Sequence, residues 1–124
     1  MGRMITIFGI RNCDTMKKAF AWLDEHGVAY EFRDYRRAGV AEAHLPDWNR
    51  RAGWQLLLNT RGLIWRRLAE TDRAEVDETK ALQLMAQYPS LVRRPVLDAG
   101  DRLLVGFSPE HYALLGNVAN PAAD

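Results

Sequence analysis

Apolar positions along the chain change period several times, and each change marks an element. Met4 to Phe8 is a short, apolar, β-branched run stopped by Gly9, which predicts a buried strand. After the turn Gly-Ile-Arg-Asn-Cys-Asp, Met16, Ala19, Phe20 and Leu23 recur at i, i+3, i+4 and i+7. That is one face of an amphipathic helix, and Gly27 closes it. From Ala29 to Tyr35, Tyr30 and Phe32 alternate with charged Glu31 and Arg33, the pattern of a second strand. Strand, helix and strand in about thirty residues make a βαβ unit, with parallel strands and a right-handed crossover.

The middle of the chain reads as helical. Leu45, Trp48 and Ala52 share a stripe that Gly53 ends, and Pro46 predicts that the regular helix begins near His44 or Leu45. Leu-Leu-Leu-Asn-Thr-Arg-Gly-Leu-Ile-Trp-Arg-Arg-Leu predicts a turn at Asn59 to Gly62 and then a short helix. Asp77 is a candidate N-cap for a helix whose buried stripe is Ala81, Leu84, Met85 and Tyr88, stopped by Pro89. Pro95 to Asp98 and Arg102 to Val105 follow as short strands around the loop Ala99-Gly100-Asp101. Ser108 as N-cap with Pro109 at the first helical position starts a final helix. From Asn117 onward the apolar period is gone, and fraying is expected.

The order is therefore β-α-β, helices, then β-β-α. A parallel pair followed by a hairpin and a helix predicts an α/β fold: a four-stranded mixed sheet in the thioredoxin arrangement, with a helical insertion at about residues 40–90. Residues 4–116 are expected to form one domain, with 117–124 as a flexible tail.

Composition narrows this little. With 124 residues, the chain is long enough to bury roughly two-thirds of its unfolded surface without a disulfide or structural metal. Lys+Arg 17 against Asp+Glu 16 leaves +1, so no charge excess points to nucleic acid or membrane. No apolar run is long enough for a signal-peptide core or a membrane span, and a cytoplasmic location is expected. Gly2 and Thr6 meet the spacing of an N-myristoylation signal, against which Ile5 and Thr6 read better as strand. The three residues ahead of Met4 read as an upstream start or a cloning remnant.

The chemistry converges on Cys13, the only cysteine. It stands between the first strand and the first helix, at the strand end where open α/β sheets place ligands. First-turn N–H groups and the helix dipole favour a thiolate there, so its pKa should fall below the free value of about 8.5. Lys17 lies one turn on and can face the sulfur, Arg11 precedes it, and adjacent Asp14 opposes it unless its side chain caps the helix. A lone cysteine is more usually a small buried hydrophobe, but Arg11, Asn12 and Asp14 make burial a poor fit here. Met16 occupies the place of a resolving cysteine. A redox Cys13 would therefore need an outside thiol to release its mixed disulfide, and glutathione is the abundant candidate.

Arg93-Arg94-Pro95 is the second constellation. It reads either as a surface charge cluster or, in a thioredoxin-type fold, as a cis-proline that brings Arg94 beside the thiolate to hold a carboxylate or oxyanion. Arg61 is a further candidate anion contact, whereas Arg66 and Arg67 read as solvated. His26, His44 and His111 have no metal-ligand spacing. No Ser-His-Asp order or phosphate-binding glycine loop is present.

Phe-Gly-Ile-Arg-Asn-Cys-Asp-Thr-Met-Lys-Lys-Ala, Leu-Asn-Thr-Arg-Gly, Leu-Met-Ala-Gln-Tyr-Pro-Ser-Leu-Val-Arg-Arg-Pro-Val-Leu and Leu-Val-Gly-Phe-Ser-Pro-Glu resemble, in order and spacing, the ArsC/Spx family, most closely its YffB-type branch of arsenate-reductase-like proteins. The resemblance spans roughly residues 4 to 115. It implies a thioredoxin-like domain with a helical insertion, Cys13 as the redox thiol, Arg94-Pro95 as the family's Arg-Pro pair, and glutathione as co-substrate, with no bound cofactor. Arsenate reductases of this family use three arginines and a histidine four residues before the cysteine. Here Gly9 holds the histidine position, Gly106 or Phe107 that of the third arginine, and Asn59 or Arg61 that of the first. That is a poor trianion pocket.

The expectation is a monomeric glutathione-dependent monothiol reductase acting on a disulfide or glutathionylated substrate. Its site would comprise Cys13 with Arg11, Asn12, Lys17, Arg61, Arg94 and Pro95; glutaredoxin is a further candidate partner. Spx-type members bind the RNA polymerase alpha subunit, which leaves a binding module as the alternative, and an arsenate reductase as the second.

Overall fold

The most buried run near the N-terminus sets the centre of the sheet. β1 (Ile5–Gly9) holds Ile5, Ile7, Phe8 and Gly9 out of solvent, and only an interior strand, covered on both faces, needs that pattern. The computed structural model describes residues 4–115, so the Gly2 spacing and the tail from Asn117 lie outside the described residues. After β1 come α1 (Asp14–Glu25) and β2 (Tyr30–Asp34), then α2 (Val40–Ala52), α3 (Trp54–Leu57), α4 (Leu63–Arg67), α5 (Glu70–Arg73) and α6 (Glu78–Gln87). A 3₁₀ turn at Pro89–Leu91 leads to β3 (Val96–Asp98), β4 (Leu103–Val105) and α7 (Pro109–Tyr112), with a last 3₁₀ turn at Ala113–Leu115.

The strands order as β2-β1-β3-β4. β1 runs parallel to β2, with Ile7 beside Phe32, and antiparallel to β3, with Ile7 beside Leu97. This is the mixed four-stranded sheet that the element order predicts. The β3–β4 hairpin is tighter than expected: the Ala99 N–H donates to the Arg102 carbonyl (3.0 Å), leaving Gly100 and Asp101 at the tip. Gly100 takes φ +88°, which only glycine adopts freely.

The chain falls into two compact units. The first comprises residues up to Asp34 and from Arg94 onward; the second is Tyr35–Arg93. In the first, Ile5, Ile7, Met16, Ala19, Leu23, Val28, Leu97, Ala99, Tyr112 and Leu115 form one buried cluster. The helical stripe of α1 supplies Met16, Ala19 and Leu23 to it, as its period requires.

In the second unit, α2 and α6 pack together through Ala41, Leu45 and Trp48 on one side and Ala81, Leu84 and Met85 on the other. Here α2 departs from expectation. It begins at Val40, after Gly39 at φ +82°, and carries Pro46 inside it rather than near its start. Pro46 deprives the Glu42 carbonyl of its i+4 donor, at a cost of about 3 kcal/mol. The buried stripe Ala41–Leu45–Trp48 is continuous across that defect, and burial outweighs the lost bond. The short α3 and α5 were not expected. Two cap signals hold as read: the Asp77 carboxylate accepts from the Lys80 N–H (2.9 Å), and the Ser108 hydroxyl accepts from the His111 N–H (3.1 Å).

No helix among the described residues is long and apolar enough to cross a membrane.

Tyr112 tests the packing of the first unit. Its ring is fully buried, edge-on to Trp22 and Phe107, and its hydroxyl has no hydrogen-bond partner among the described residues. Burial without a partner holds the phenol well above its ordinary pKa. An unsatisfied buried hydroxyl costs about 1–3 kcal/mol. Tyr112→Phe is therefore expected to leave the urea unfolding free energy unchanged or raise it by about 1 kcal/mol. A clear loss of stability would show that the hydroxyl is bonded.

Candidate active site

Cys13 is the N-cap residue of α1. Its backbone is extended (φ −144°, ψ 135°), and its carbonyl already accepts the Lys17 N–H at 2.9 Å. A cap normally offers an oxygen to the free amides of the first turn. Here a sulfur stands in that place, and Asp14 is the first helical residue instead of the cap. The position follows from β1, whose last residue, Gly9, delivers the chain to the helix start within a few residues.

Burial pushes the Cys13 thiol up. The Met16 N–H, a hydrogen bond from Arg94, the Thr15 N–H and the Arg94 charge outweigh it, so the pKa lies below the ordinary thiol value. The Arg94 Nε–H donates to Cys13 Sγ at 3.4 Å, across 81 residues of sequence. Thiolate at the positive end of a helix with a guanidinium against it is the arrangement that makes a cysteine nucleophilic near neutral pH.

Arg94 reaches the sulfur because β3 lies beside β1 and Pro95 leads into it. The Arg94–Pro95 peptide is cis, Pro95 is buried, and its carbonyl accepts the Gly106 N–H at 2.8 Å. The two arginines of the pair part company. Arg93 is occupied within the second unit, its N–H on the Leu57 carbonyl (2.7 Å) and its Nε–H on the Leu56 carbonyl (3.0 Å).

The other expected residues take different places. Lys17 is exposed, and its ammonium is not among the groups that move the thiol. Asn12 is exposed one residue ahead of the sulfur. Arg11 lays its guanidinium over Phe32, 4.5 Å from the ring centre, with Phe20 at 6.0 Å. Arg61 belongs to the second unit, where its N–H donates to the Asn59 side-chain oxygen (3.0 Å) in the Leu-Asn-Thr-Arg-Gly turn. Among the described residues no group of three His, Cys, Asp or Glu side chains could hold a metal ion.

The first-turn amides expected to favour the thiolate are those of Thr15 and Met16. Sequence reading missed what Gly9 does. Met16 is fully buried, and a Cβ at residue 9 would collide with its Sδ and lie 2.8 Å from its Cε. The space that a histidine at position 9 would need is filled by the thioether at position 16.

With this geometry in hand, kinship adds its part. A model of the ArsC family matches residues 8–115, and the chain belongs to that family. It is similar to a solved YffB protein, with 49% identity and a TM-score of 0.86 over 91% of this chain and 99% of that one. An arsenate reductase (ArsC) related protein from Brucella melitensis is 44% identical, with a TM-score of 0.73 over 90% and 92% of the two chains. The global transcriptional regulator Spx of Streptococcus pneumoniae is 29% identical over 109 residues, 86% of this chain and 81% of Spx. The mixed sheet with its helices is the thioredoxin-like fold of that family.

Two measurements test the site. In an iodoacetamide rate-against-pH titration, Cys13 is expected to alkylate with a midpoint below that of free cysteine. Because Arg94 favours the thiolate, Arg94→Gln should move that midpoint upward; an unmoved midpoint would remove Arg94 from the site. For the Gly9–Met16 contact, Gly9→Ala is expected to cost about 1–3 kcal/mol by overpacking. Gly9→Ala combined with Met16→Ala should be less destabilised than the sum of the single variants, because the same contact causes both losses.

Proposed function

We propose that this protein is a thiol-based oxidoreductase, specifically a glutathione-dependent monothiol reductase of disulfide or glutathionylated substrates. The observation that carries the reading is the Arg94 Nε–H donating to Cys13 Sγ at the N-terminus of α1. The Cys13 thiolate attacks the glutathionyl sulfur of a mixed disulfide. The new S–S bond forms as the old one breaks, and the substrate thiolate leaves and takes a proton from water. A glutathione thiolate then attacks the Cys13–glutathione disulfide, releases glutathione disulfide and restores the Cys13 thiolate. The substrate sulfur is reduced, and two glutathione sulfurs end oxidised.

The sequence supports the single-thiol form, since Met16 stands where a resolving thiol would and the chain has no second cysteine. Arg94 stabilises the thiolate both before attack and as it leaves the mixed disulfide, and Pro95 walls the approach to the sulfur. Such an enzyme would work in the cytoplasm as a monomer, with glutaredoxin as a possible alternative reductant and no bound cofactor. Arsenate reduction is disfavoured by the filled space at Gly9.

The Spx likeness favours a second reading, a binding module for the RNA polymerase alpha subunit with a sensing thiol. Turnover of a glutathionylated peptide with glutathione separates the two. The enzyme reading expects multiple turnovers in the wild type and a loss of at least about a hundredfold in Cys13→Ser, because the nucleophile is gone. Co-purification with the alpha subunit that is unchanged in Cys13→Ser, with no turnover in the wild type, would decide for the module.

A further inference from the structure

Arg11 is exposed, two residues before Cys13, and makes neither a hydrogen bond nor an ion pair among the described residues. It is nevertheless held. Its guanidinium lies 4.5 Å above the Phe32 ring and 6.0 Å from that of Phe20. Those rings are themselves fixed: Phe20 meets Phe32 edge-on (5.6 Å, 78°) and stacks on Tyr30 (5.6 Å, 16°). Burial and the nearby Asp24 carboxylate hold the Tyr30 phenol above its ordinary pKa. All three rings are half-buried and pack against the core of the first unit.

The ring contact holds the guanidinium by its charge, and its N–H groups have no hydrogen-bond partner among the described residues. A guanidinium is planar, always charged and shaped for two parallel bonds to a carboxylate. An arginine held over two rings, with no ion-pair partner among the described residues and two positions before the candidate nucleophile in sequence, is equipped to bind an anion that arrives with the substrate.

We propose that Arg11, seated on the Phe32–Phe20 shelf, is a carboxylate subsite that recognises an anionic group carried by the disulfide reacting at Cys13. Phe32 is its positioning residue. The proposal rests on the thiol chemistry proposed above for its substrate, but the subsite itself is a property of the shelf. The carboxylate belongs either to the glutathionyl group or to an acidic residue of the substrate chain.

The test compares the single-turnover reaction of reduced Cys13 with glutathione disulfide, which forms the Cys13–glutathione disulfide and releases one glutathione, with its reaction with the uncharged bis(2-hydroxyethyl) disulfide, which releases one 2-mercaptoethanol. In Arg11→Gln the preference for the anionic disulfide is expected to fall about tenfold, mainly through the half-saturating concentration rather than the limiting rate, as for loss of a charge-assisted hydrogen bond. Arg11→Lys should restore part of it, and Phe32→Leu should lose part of it while Arg11 remains. A preference unchanged in Arg11→Gln both here and with the peptide pair below overturns the proposal. Mixed disulfides of 2-mercaptoethanol with an acidic and a neutral cysteine peptide form the second arm. Arg11 dependence there assigns the carboxylate to the substrate chain, and dependence confined to glutathione disulfide assigns it to the glutathionyl group.

Equilibrium titration by NMR with S-methylglutathione and its diethyl ester needs no turnover. Wild type is expected to bind the acid more tightly than the ester, and Arg11→Gln to bind them alike. If the wild type lacks turnover but shows this Arg11-dependent difference, the reductase reading fails and the subsite stands. If turnover is present and neither assay responds to Arg11, the subsite fails and the reductase stands.

Discussion

The placement of one sulfur at the start of one helix is the constraint on which the rest of the site depends. A thiol half-withdrawn from water resists ionisation, and only donors aimed at the sulfur can reverse that. The Met16 and Thr15 amides and the Arg94 guanidinium supply them from two separate stretches of chain. The amides come with the helix and are present as soon as α1 starts at Cys13. The guanidinium comes only when β3 lies against β1 and Pro95 leads into it. The candidate nucleophile is thus a product of local and long-range order together.

The same few residues account for the single-thiol character. Met16 carries a first-turn amide on its backbone and fills the core with its side chain, so one residue both favours the thiolate and packs the first unit. Its thioether needs room, and Gly9 at the end of β1 provides it. A larger residue at position 9 would require the Met16 thioether to move. These two positions therefore constrain each other, although they lie seven positions apart in sequence.

Much of the frame was legible from the residues. Asp77 and Ser108 announced their helices because a cap is a local contact, made over three residues by a side chain with one evident use. The α1 stripe was legible because helical period and burial agree at Met16, Ala19 and Leu23. The start of α2 was not. Proline at position 46 argues locally for a helix beginning beside it, and only packing of Ala41 and Trp48 in the second unit outweighs that argument. The hairpin was found but drawn one residue too wide at its tip, since strand ends are set by pairing across the ladder.

By itself, the sequence determined the order of elements, the helix whose first turn meets Cys13, the absence of a second thiol, and membership of a family with this fold. Those are properties of period, capping and residue identity, which act over a few positions at a time. Tertiary structure decided the rest. It sent Arg94 to the sulfur and Arg93 to the backbone at Leu56 and Leu57, although the two are adjacent and chemically alike. It laid Arg11 across Phe32 and left Lys17 in solvent. A charged side chain has the same composition wherever it points; the partner it meets depends on which strands pair and which faces are buried, and that is settled only when the whole sheet forms.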